Sequence, residues 1–539
     1  MISNPTFTTG LILKSITILL VVTLLSSCTG KLEKKPNIIF IMSDDHTTQA
    51  FGTYGSRLAS LNPTPTLDRL AENGVVFDNA YCTNSICTPS RATIMTGQYP
   101  QTNGVLDLDG RLNETKQFLP KEMKALGYET AMIGKWHLKE EPAAFDYYKV
   151  LESQGDYFNP TFRVRGDEPW PKNEEKYTGH SSDVITDQTI TWLKSRSEDQ
   201  PFFLMHHYKA PHDMFEYAPR YEDYLANVEI PEPESMYAQP NFGSEATRGK
   251  NDSLINQIGT SIGLRHPVRN YYDDFISNEV SDQLTEDEAK HDAYQVYLKK
   301  YLRCVKGVDD NLARLLKHLE ESGELENTII IYTGDQGFML GEHDYMDKRW
   351  MYEESMRMPF IVSYPKGIKP GRRSDLLINN SDYAPTMLAL AGGRVPDYMQ
   401  GKSFASLLTE EKEPENWREE TYYRYWMHMM HHDNPAHFGI RTKDYKLIFY
   451  YGLPYDMEKI GTKSMPWKEN SFTIEQTPAA WEFYDLSKDP KEVNNVYADP
   501  AYSEIIANLK VRLKETRNEL KETDDQYPHI QEVINKYWD

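Results

Sequence analysis

The sequence predicts an α/β protein: a large, mostly parallel sheet sandwiched by helices, followed by a smaller C-terminal antiparallel sheet with a helix. Three observations carry that expectation. Continuous apolar runs of strand length recur along the chain, helical patterns separate them, and the texture changes near residue 420.

The runs Asn37 to Met42, Tyr128 to Ile133, Pro201 to Met205, Thr328 to Tyr332 and Met358 to Val362 lack polar alternation. Strands covered on both faces have that character. Between them lie the helical patterns Thr66 to Asn73, Arg91 to Thr96, Ser182 to Ser195 and the long amphipathic Asp287 to Ser322. Strands separated by helices imply a mostly parallel sheet with helices on both faces. Beyond residue 420 come short aromatic-rich runs: Tyr422 to Trp426, Phe438 to Arg441, Tyr445 to Tyr451 and Trp481 to Leu486. They predict a small antiparallel sheet, and a helix from about Ala501 to Lys521 packs on it. The chain thus divides into a larger unit over 36–419 and a C-terminal α+β unit over 420–539. The polar, weakly periodic stretch Tyr217 to Asn278 reads as a long surface excursion.

With 59 basic and 81 acidic residues, the formal charge is −22. No basic stripe supplies the counterion release that nucleic-acid binding needs, so a nucleic-acid partner is excluded. An anionic substrate remains open if a few Lys and Arg side chains converge. Residues 1–28 are set apart: Lys14 precedes the apolar run Ile16 to Leu25, and Leu25-Ser26-Ser27-Cys28 follows. A short apolar core before small residues reads as a secretory signal. The tetrad resembles a bacterial lipobox, which would make Cys28 the lipidated first residue of the mature chain. Such a terminus anchors a protein to a membrane without spanning it. The expectation is an exported lipoprotein of a bacterial envelope, facing the periplasm or the cell surface. The alternative is an ordinary signal peptide with an incidental cysteine. The odd set Cys82, Cys87 and Cys304 gives no evident disulfide framework. Cys82 and Cys304 read as buried small residues, although a bridge between them stays open.

Position along the strands is the most informative feature. Asp44-Asp45 follow the first apolar run, and Asp335-Gln336 follow Thr328 to Tyr332. Lys135 and His137 follow the run ending at Ile133, and His212 lies past the one ending near Met205. In a parallel sheet these strand ends share one edge, and ligands bind outside it. Asp44, Asp45, Asp335 and Gln336 offer only oxygen, which suits Ca²⁺ better than Zn²⁺. Cys87-Thr88-Pro89-Ser90-Arg91 opens a small-residue helical run, with Pro and Ser as good initiators. Cys87 would then sit at a helix N-terminus, where anions are favoured. Taken alone, that is a low-pKa nucleophile or a buried cysteine beside a helix start.

Cys87-x-Pro89-Ser90-Arg91, with Gly97 in the Thr-Gly-Gln stretch, resembles the signature of the type I sulfatases. Ser43-Asp44-Asp45, Gly134-Lys135-Trp136-His137, Gly334-Asp335-Gln336-Gly337 and Gly341-Glu342-His343 fall in that family's order. Asp382-Tyr383-Ala384-Pro385-Thr386 and the closing Tyr484-Asp485-Leu486 with Asp489-Pro490 match as well. The resemblance spans roughly residues 36 to 500 and implies an alkaline-phosphatase-like fold. Gln336 stands where many members have Asn or His.

The resemblance implies that a maturating enzyme oxidises Cys87 to formylglycine (3-oxoalanine). It also implies that one Ca²⁺ per chain is held by Asp44, Asp45, Asp335, Gln336 and the modified residue. A hydrated aldehyde has two hydroxyls: one attacks sulfur, and the other expels sulfate and restores the aldehyde. Arg91 would orient the modified residue, while Lys135 and Lys348 would hold the sulfate oxygens. His137 would take the proton of the second hydroxyl, and His212 would protonate the departing alcohol. His206 and His207 compete with His212 for that role. Arg349 and His437 are candidates for sugar contact. His428, His431, His432 and His437 read as a sugar-facing loop or plain surface in preference to a second metal site.

The expected activity is hydrolysis of sulfate esters on a sulfated polysaccharide or its oligosaccharides. Algal ulvan and host glycans carrying 6-sulfated N-acetylglucosamine both remain open. One alternative is a phosphodiesterase or phosphomutase of the same superfamily. Another is an inactive, lipid-anchored glycan-binding protein, if Cys87 were never oxidised.

Overall fold

The strand Asn37–Asp44 (NIIFIMSD) is buried over its whole length, and its side chains divide between two cores. Ile38, Phe40 and Met42 face one core and Ile39 and Ile41 the other. A strand covered on both faces needs no polar side, which is why its sequence shows no alternation. The computed structural model describes residues 1–3, 34–237, 240–247, 260–261, 285–432, 434–466, 471 and 473–539. The expected signal segment with Cys28, and much of the Tyr217 to Asn278 excursion, lie outside the described residues.

Ten strands form the main sheet. Their spatial order is Arg372–Ser374, Val75–Phe77, Phe360–Ser363, Thr328–Gly334, Asn37–Asp44, Phe202–Pro211, Glu129–Gly134, Tyr147–Leu151, Thr161–Val164 and Glu174–Lys176. The five from Thr328–Gly334 through Tyr147–Leu151 run parallel. Phe360–Ser363 is antiparallel to its neighbours on both sides, so its C-terminal end points away from the shared edge. Helices Pro65–Glu72, Ser181–Ser195 and Glu286–Glu321 appear at the expected positions. Thr285 and Glu288 form a capping box that starts the longest of them.

Glu420–Tyr425, His437–Thr442, Tyr445–Tyr450 and Ala480–Asp485 make a four-stranded antiparallel sheet. Helix Ser503–Glu519 packs on it through Ile506, Leu509 and Leu513. A further helix, Pro528–Tyr537, opens with Pro at its first position and adds Ile530, Val533 and Ile534 to the same core. Cys82, Cys87 and Cys304 are all free thiols, so the Cys82–Cys304 bridge left open by the sequence does not form. Among the described residues, no helix is long and apolar enough to cross a membrane.

Candidate active site

The carboxyl ends of four parallel strands bring the predicted residues together. Asp44 ends its strand, and Asp45 turns away in the left-handed region at φ 64°. Asp335 and Gln336 follow Thr328–Gly334, and the Asp45 backbone N–H donates to Asp335 Oδ1 at 3.1 Å. Gly134 ends Glu129–Gly134 at φ 105°, where a Cβ would collide with the His207 carbonyl oxygen. That close approach lets Lys135 N–H donate to the same oxygen at 2.9 Å and fixes where the Lys135 side chain starts. His212 follows Phe202–Pro211.

Lys348 and Arg349 arrive from elsewhere. The strands Met339–Leu340 and Tyr345–Asp347 pair as a hairpin, and the two residues follow it, Arg349 at φ 87°.

Formally, three carboxylates face three cations here. Arg91 Nε and Nη2 donate to Asp335 Oδ2 at 3.0 and 2.9 Å, and Nη1 donates to the Lys135 carbonyl at 2.7 Å. Arg91 Nη2 also lies 3.7 Å from Asp44. Lys135 contacts Asp44 and Gln154. Lys348 Nζ donates to both oxygens of Asp45, at 2.5 and 2.6 Å. All six charged residues are essentially sealed from solvent.

Burial is the largest influence on Asp45, Asp335 and Lys135. It pushes Asp45 up to about 7, opposed by Lys348 and reinforced by Asp335. It would raise Asp335 too, but Arg91, Lys348 and Lys135 outweigh it and hold that carboxyl below its ordinary value. Burial, then the neighbouring Lys209, depresses the Lys135 ammonium.

Cys87 begins helix Cys87–Thr96, with Sγ 3.2 Å from His137 Nδ1. Thr88 Oγ1 stands 3.2 Å from the same nitrogen. The thiol does not have the lowered pKa that the helix start alone suggested. Burial raises it, Asp335 and Asp45 add to the rise, and Lys348 and Arg91 only partly oppose. His137 is held neutral by burial and by Lys135 and Arg91.

His212 places Nε2 3.7 Å from Asp45 Oδ2, and its Nδ1 contacts the Asp213 carboxylate. Burial lowers its pKa to about 3, against the pull of Asp213. Of the competing histidines, His206 Nδ1 pairs with Thr189 Oγ1 at 2.7 Å and His207 Nδ1 with the Lys135 carbonyl at 3.1 Å.

The donor set fits a hard cation. Asp44 Oδ1 and Gln336 Oε1 are buried without a hydrogen-bond partner, while Asp44 Oδ2 is met by the Lys135 ammonium. The ligand atoms of Asp44, Asp45 and His212 lie within 4.8 Å of one another. His212 thus joins the neighbourhood where the sequence placed only oxygen donors.

Arg349 Nε donates to Asp347 Oδ2 at 2.7 Å, leaving its buried Nη1 without a partner. His437 makes no contact with the carboxylates and cations of the cluster, and its buried Nε2 has no hydrogen-bond partner. Its Nδ1 pairs with the Pro435 carbonyl at 2.8 Å, and its ring packs among Trp350, Tyr423, Tyr425 and Tyr450. Gln154, Asp213 and Asp347 contact site residues and were not anticipated. Asp213 and Asp347 directly adjoin His212 and Lys348, which was the available signal. A cavity of about 680 Å³ lined by Arg57, Glu342, Glu354 and Arg441 is separate, since none of its lining residues belongs to this cluster.

A family model described as Sulfatase matches residues 36–393. One described as N-sulphoglucosamine sulphohydrolase, C-terminal, matches 341–477 and 458–519. The chain is 38% identical over 522 residues to an N-acetylglucosamine-6-O-sulfatase of Bacteroides thetaiotaomicron, covering 91% of this chain and 88% of the relative. It is 28% identical over 532 residues to an ulvan-active sulfatase of Formosa agariphila, covering 94% and 87%. It also resembles a solved structure of a protein in complex with its substrate D-glucosamine-2-N,6-O-disulfate. There the TM-score is 0.77 at 36% identity, with 91% of this chain and 99% of that one covered. With its signature cysteine, its strand-end carboxylates and this match over most of its length, the chain belongs to the sulfatase family and is a carbohydrate sulfatase.

Proposed function

We propose that this sulfatase removes the 6-O-sulfate of N-acetylglucosamine or glucosamine units in a host glycan, using formylglycine formed from Cys87 and one bound Ca²⁺. The chemistry rests on one observation: Cys87, His137 and the buried carboxylate–cation cluster converge at the carboxyl edge of the sheet. The sugar assignment is supported by the 38% identical N-acetylglucosamine-6-O-sulfatase. It is supported equally by the 36% identical structure with D-glucosamine-2-N,6-O-disulfate.

Asp44, Asp45, Asp335 and Gln336 would hold Ca²⁺. The metal would supply positive charge beside the sulfate ester and make the attacking hydroxyl a better nucleophile. Asp45, whose ionisation burial opposes, is the kind of carboxylate a divalent cation stabilises. The formally balanced charges of the cluster mean that two added positive charges stay available to a sulfate monoester.

Each basic residue has its own work. Arg91, tied to Asp335 and to the Lys135 carbonyl, fixes the start of the helix that carries residue 87. Lys135 and Lys348 turn from Asp44 and Asp45 toward the sulfate oxygens. His137 is neutral and 3.2 Å from the residue 87 side chain, so it can accept that residue's proton. His212 carries the proton to the leaving oxygen, with Asp213 on Nδ1 setting which nitrogen faces the substrate. Burial opposes protonation of His212, and the negative charge of an arriving sulfate ester acts in the other direction. The buried, partnerless Nη1 of Arg349 is the donor we assign to a sugar hydroxyl.

The test is free-sulfate release from a panel of defined oligosaccharides. Turnover of 6-O-sulfated N-acetylglucosamine and not of ulvan fragments is expected, and the reverse preference overturns the sugar assignment. We also propose export and lipid attachment at Cys28. Labelling cells with a fatty-acid probe tests this, since a Cys28→Ala chain should take up no label.

A further inference from the structure

Three tyrosines of helix Glu286–Glu321 share one face. Tyr294, Tyr297 and Tyr301 are spaced i, i+3, i+7, which puts them on adjacent turns of the same stripe. All three are fully buried, yet each hydroxyl reaches a backbone carbonyl outside the helix. Tyr294 donates to Pro231 at 2.6 Å, Tyr297 to Met339 at 2.9 Å and Tyr301 to Asp45 at 2.7 Å. Tyr301 also accepts from the Thr47 N–H at 3.3 Å, so one hydroxyl grips both sides of the left-handed turn at Asp45. Met339 pairs across its hairpin with Asp347, the residue before Lys348.

The two loops meet again beyond the helix. The Tyr301 ring stacks on Phe338 with centroids 5.9 Å apart, and Lys348 Nζ lies 5.6 Å from the Phe338 centroid. Lys348 then closes the circuit on Asp45. Loops are ordinarily the least rigid parts of a fold. A site requires its groups held to about half an ångström. One rigid helix that holds both loops meets that requirement.

We propose that Tyr301 and Tyr297 are positioning residues that lock the two halves of the active site to one helix. Tyr301 sets the turn of the metal-binding Asp45, and Tyr297 sets the hairpin that presents Lys348 and Arg349. This rests on the reading that Asp45 helps hold Ca²⁺ and that Lys348 faces the sulfate.

The variants are Tyr301→Phe, Tyr297→Phe and, for comparison, Tyr294→Phe, whose hydroxyl serves the Pro231 carbonyl and accepts from Arg57 Nη2 at 3.3 Å. Each removes one hydroxyl and keeps the ring; because Pro231 is exposed whereas Asp45 and Met339 are buried, the unfolding midpoint of each variant is measured so that a general loss of stability is read separately from an effect on the site. The readouts on full-length protein are calorimetric Ca²⁺ titration of the metal-free form, KM and kcat. Tyr301→Phe should weaken Ca²⁺ binding on the order of 10-fold, the scale of one buried acceptor left unpaired. Its turnover should recover at saturating Ca²⁺. Tyr297→Phe should keep the Ca²⁺ affinity and raise KM on the order of 5-fold, by a fraction of the same effect. Tyr294→Phe should change neither.

Wild-type Ca²⁺ affinity in Tyr301→Phe, or equal losses in Tyr294→Phe, overturns the proposal. A wild type that binds no Ca²⁺ overturns the metal reading instead. The tyrosine clamp is then decided by kinetics, where Tyr297→Phe and Tyr301→Phe must raise KM and Tyr294→Phe must not.

Discussion

Replacing Arg91 with glutamine would leave the Asp335 carboxylate, which has no solvent exposure, without its two guanidinium bonds at 2.9 and 3.0 Å. A buried charge stripped of its partner costs about 3–5 kcal/mol, because water cannot reach it to compensate. Lys348 and Lys135 still act on Asp335, and the Asp45 N–H still donates to it. The loss should therefore fall at the lower end, about 3 kcal/mol. Adding Asp335→Asn removes the orphaned charge, and an amide pair can share a hydrogen bond. The double variant should thus recover most of the stability while staying inactive. The assay is urea unfolding of the wild type, both single variants and the double variant, all in chelator so that bound metal does not mask the difference. The cycle should show coupling of at least about 1 kcal/mol, as for groups in one hydrogen-bonded network. Additive losses, or an Arg91→Gln chain within about 0.5 kcal/mol of wild type, would refute the ion pair as the cluster's organising contact.

Other outcomes follow from the same geometry. His212→Ala should cut kcat/KM on a sugar sulfate by about 10²–10⁴-fold, the usual worth of a general acid, and spare an activated aryl sulfate whose leaving group needs no proton; equal losses on both would move the acid role elsewhere. Chelation should abolish turnover and Ca²⁺ restore it, so full activity in metal-free protein would remove Asp44, Asp45, Asp335 and Gln336 from the metal site. Burial, opposed by Arg424, raises Glu522 from 4.5 to about 7. Its neutral form is therefore favoured in the fold, and the stability that form contributes is present below pH 4.5 and lost as pH rises through 7. Glu522→Gln should flatten that decline by up to about 3 kcal/mol at pH 8, and an unchanged pH–stability curve would show that Glu522 titrates normally.

Sequence reading went furthest where one side-chain pattern had one structural meaning. Unbroken apolar runs such as Asn37 to Met42 can only be doubly covered strands or buried helices, and length separated the two. Four such runs fixed one sheet edge, so Asp44, Lys135, His212 and Asp335 could be placed together before any coordinates. Pairing direction left no trace in side-chain period, which is why Phe360–Ser363 looked like its parallel neighbours. The polar edge strands Thr161–Val164 and Glu174–Lys176 carry little apolar signal, and Pro528–Tyr537 is a short helix beyond a longer one. An aromatic-rich run such as the one holding His437 reads the same whether it lines a sugar site or packs a sheet. The helix start at Cys87 favours a lowered thiol pKa, whereas burial, which no local pattern encodes, raises it. Gln154 reaches Lys135 from a loop, a contact no local pattern encodes.

The central claim is that the chemistry of this sulfatase begins at residue 87. Sulfate release from 6-O-sulfated N-acetylglucosamine, measured with Ca²⁺ for wild type and Cys87→Ala from the same host, tests it most directly. The wild type should turn over, and peptide mass spectrometry should find its Cys87 thiol converted to the aldehyde. The Cys87→Ala chain should keep the wild-type unfolding midpoint and release no sulfate. Sustained release by Cys87→Ala, or an active wild type whose Cys87 is entirely an unmodified thiol, would contradict the formylglycine mechanism.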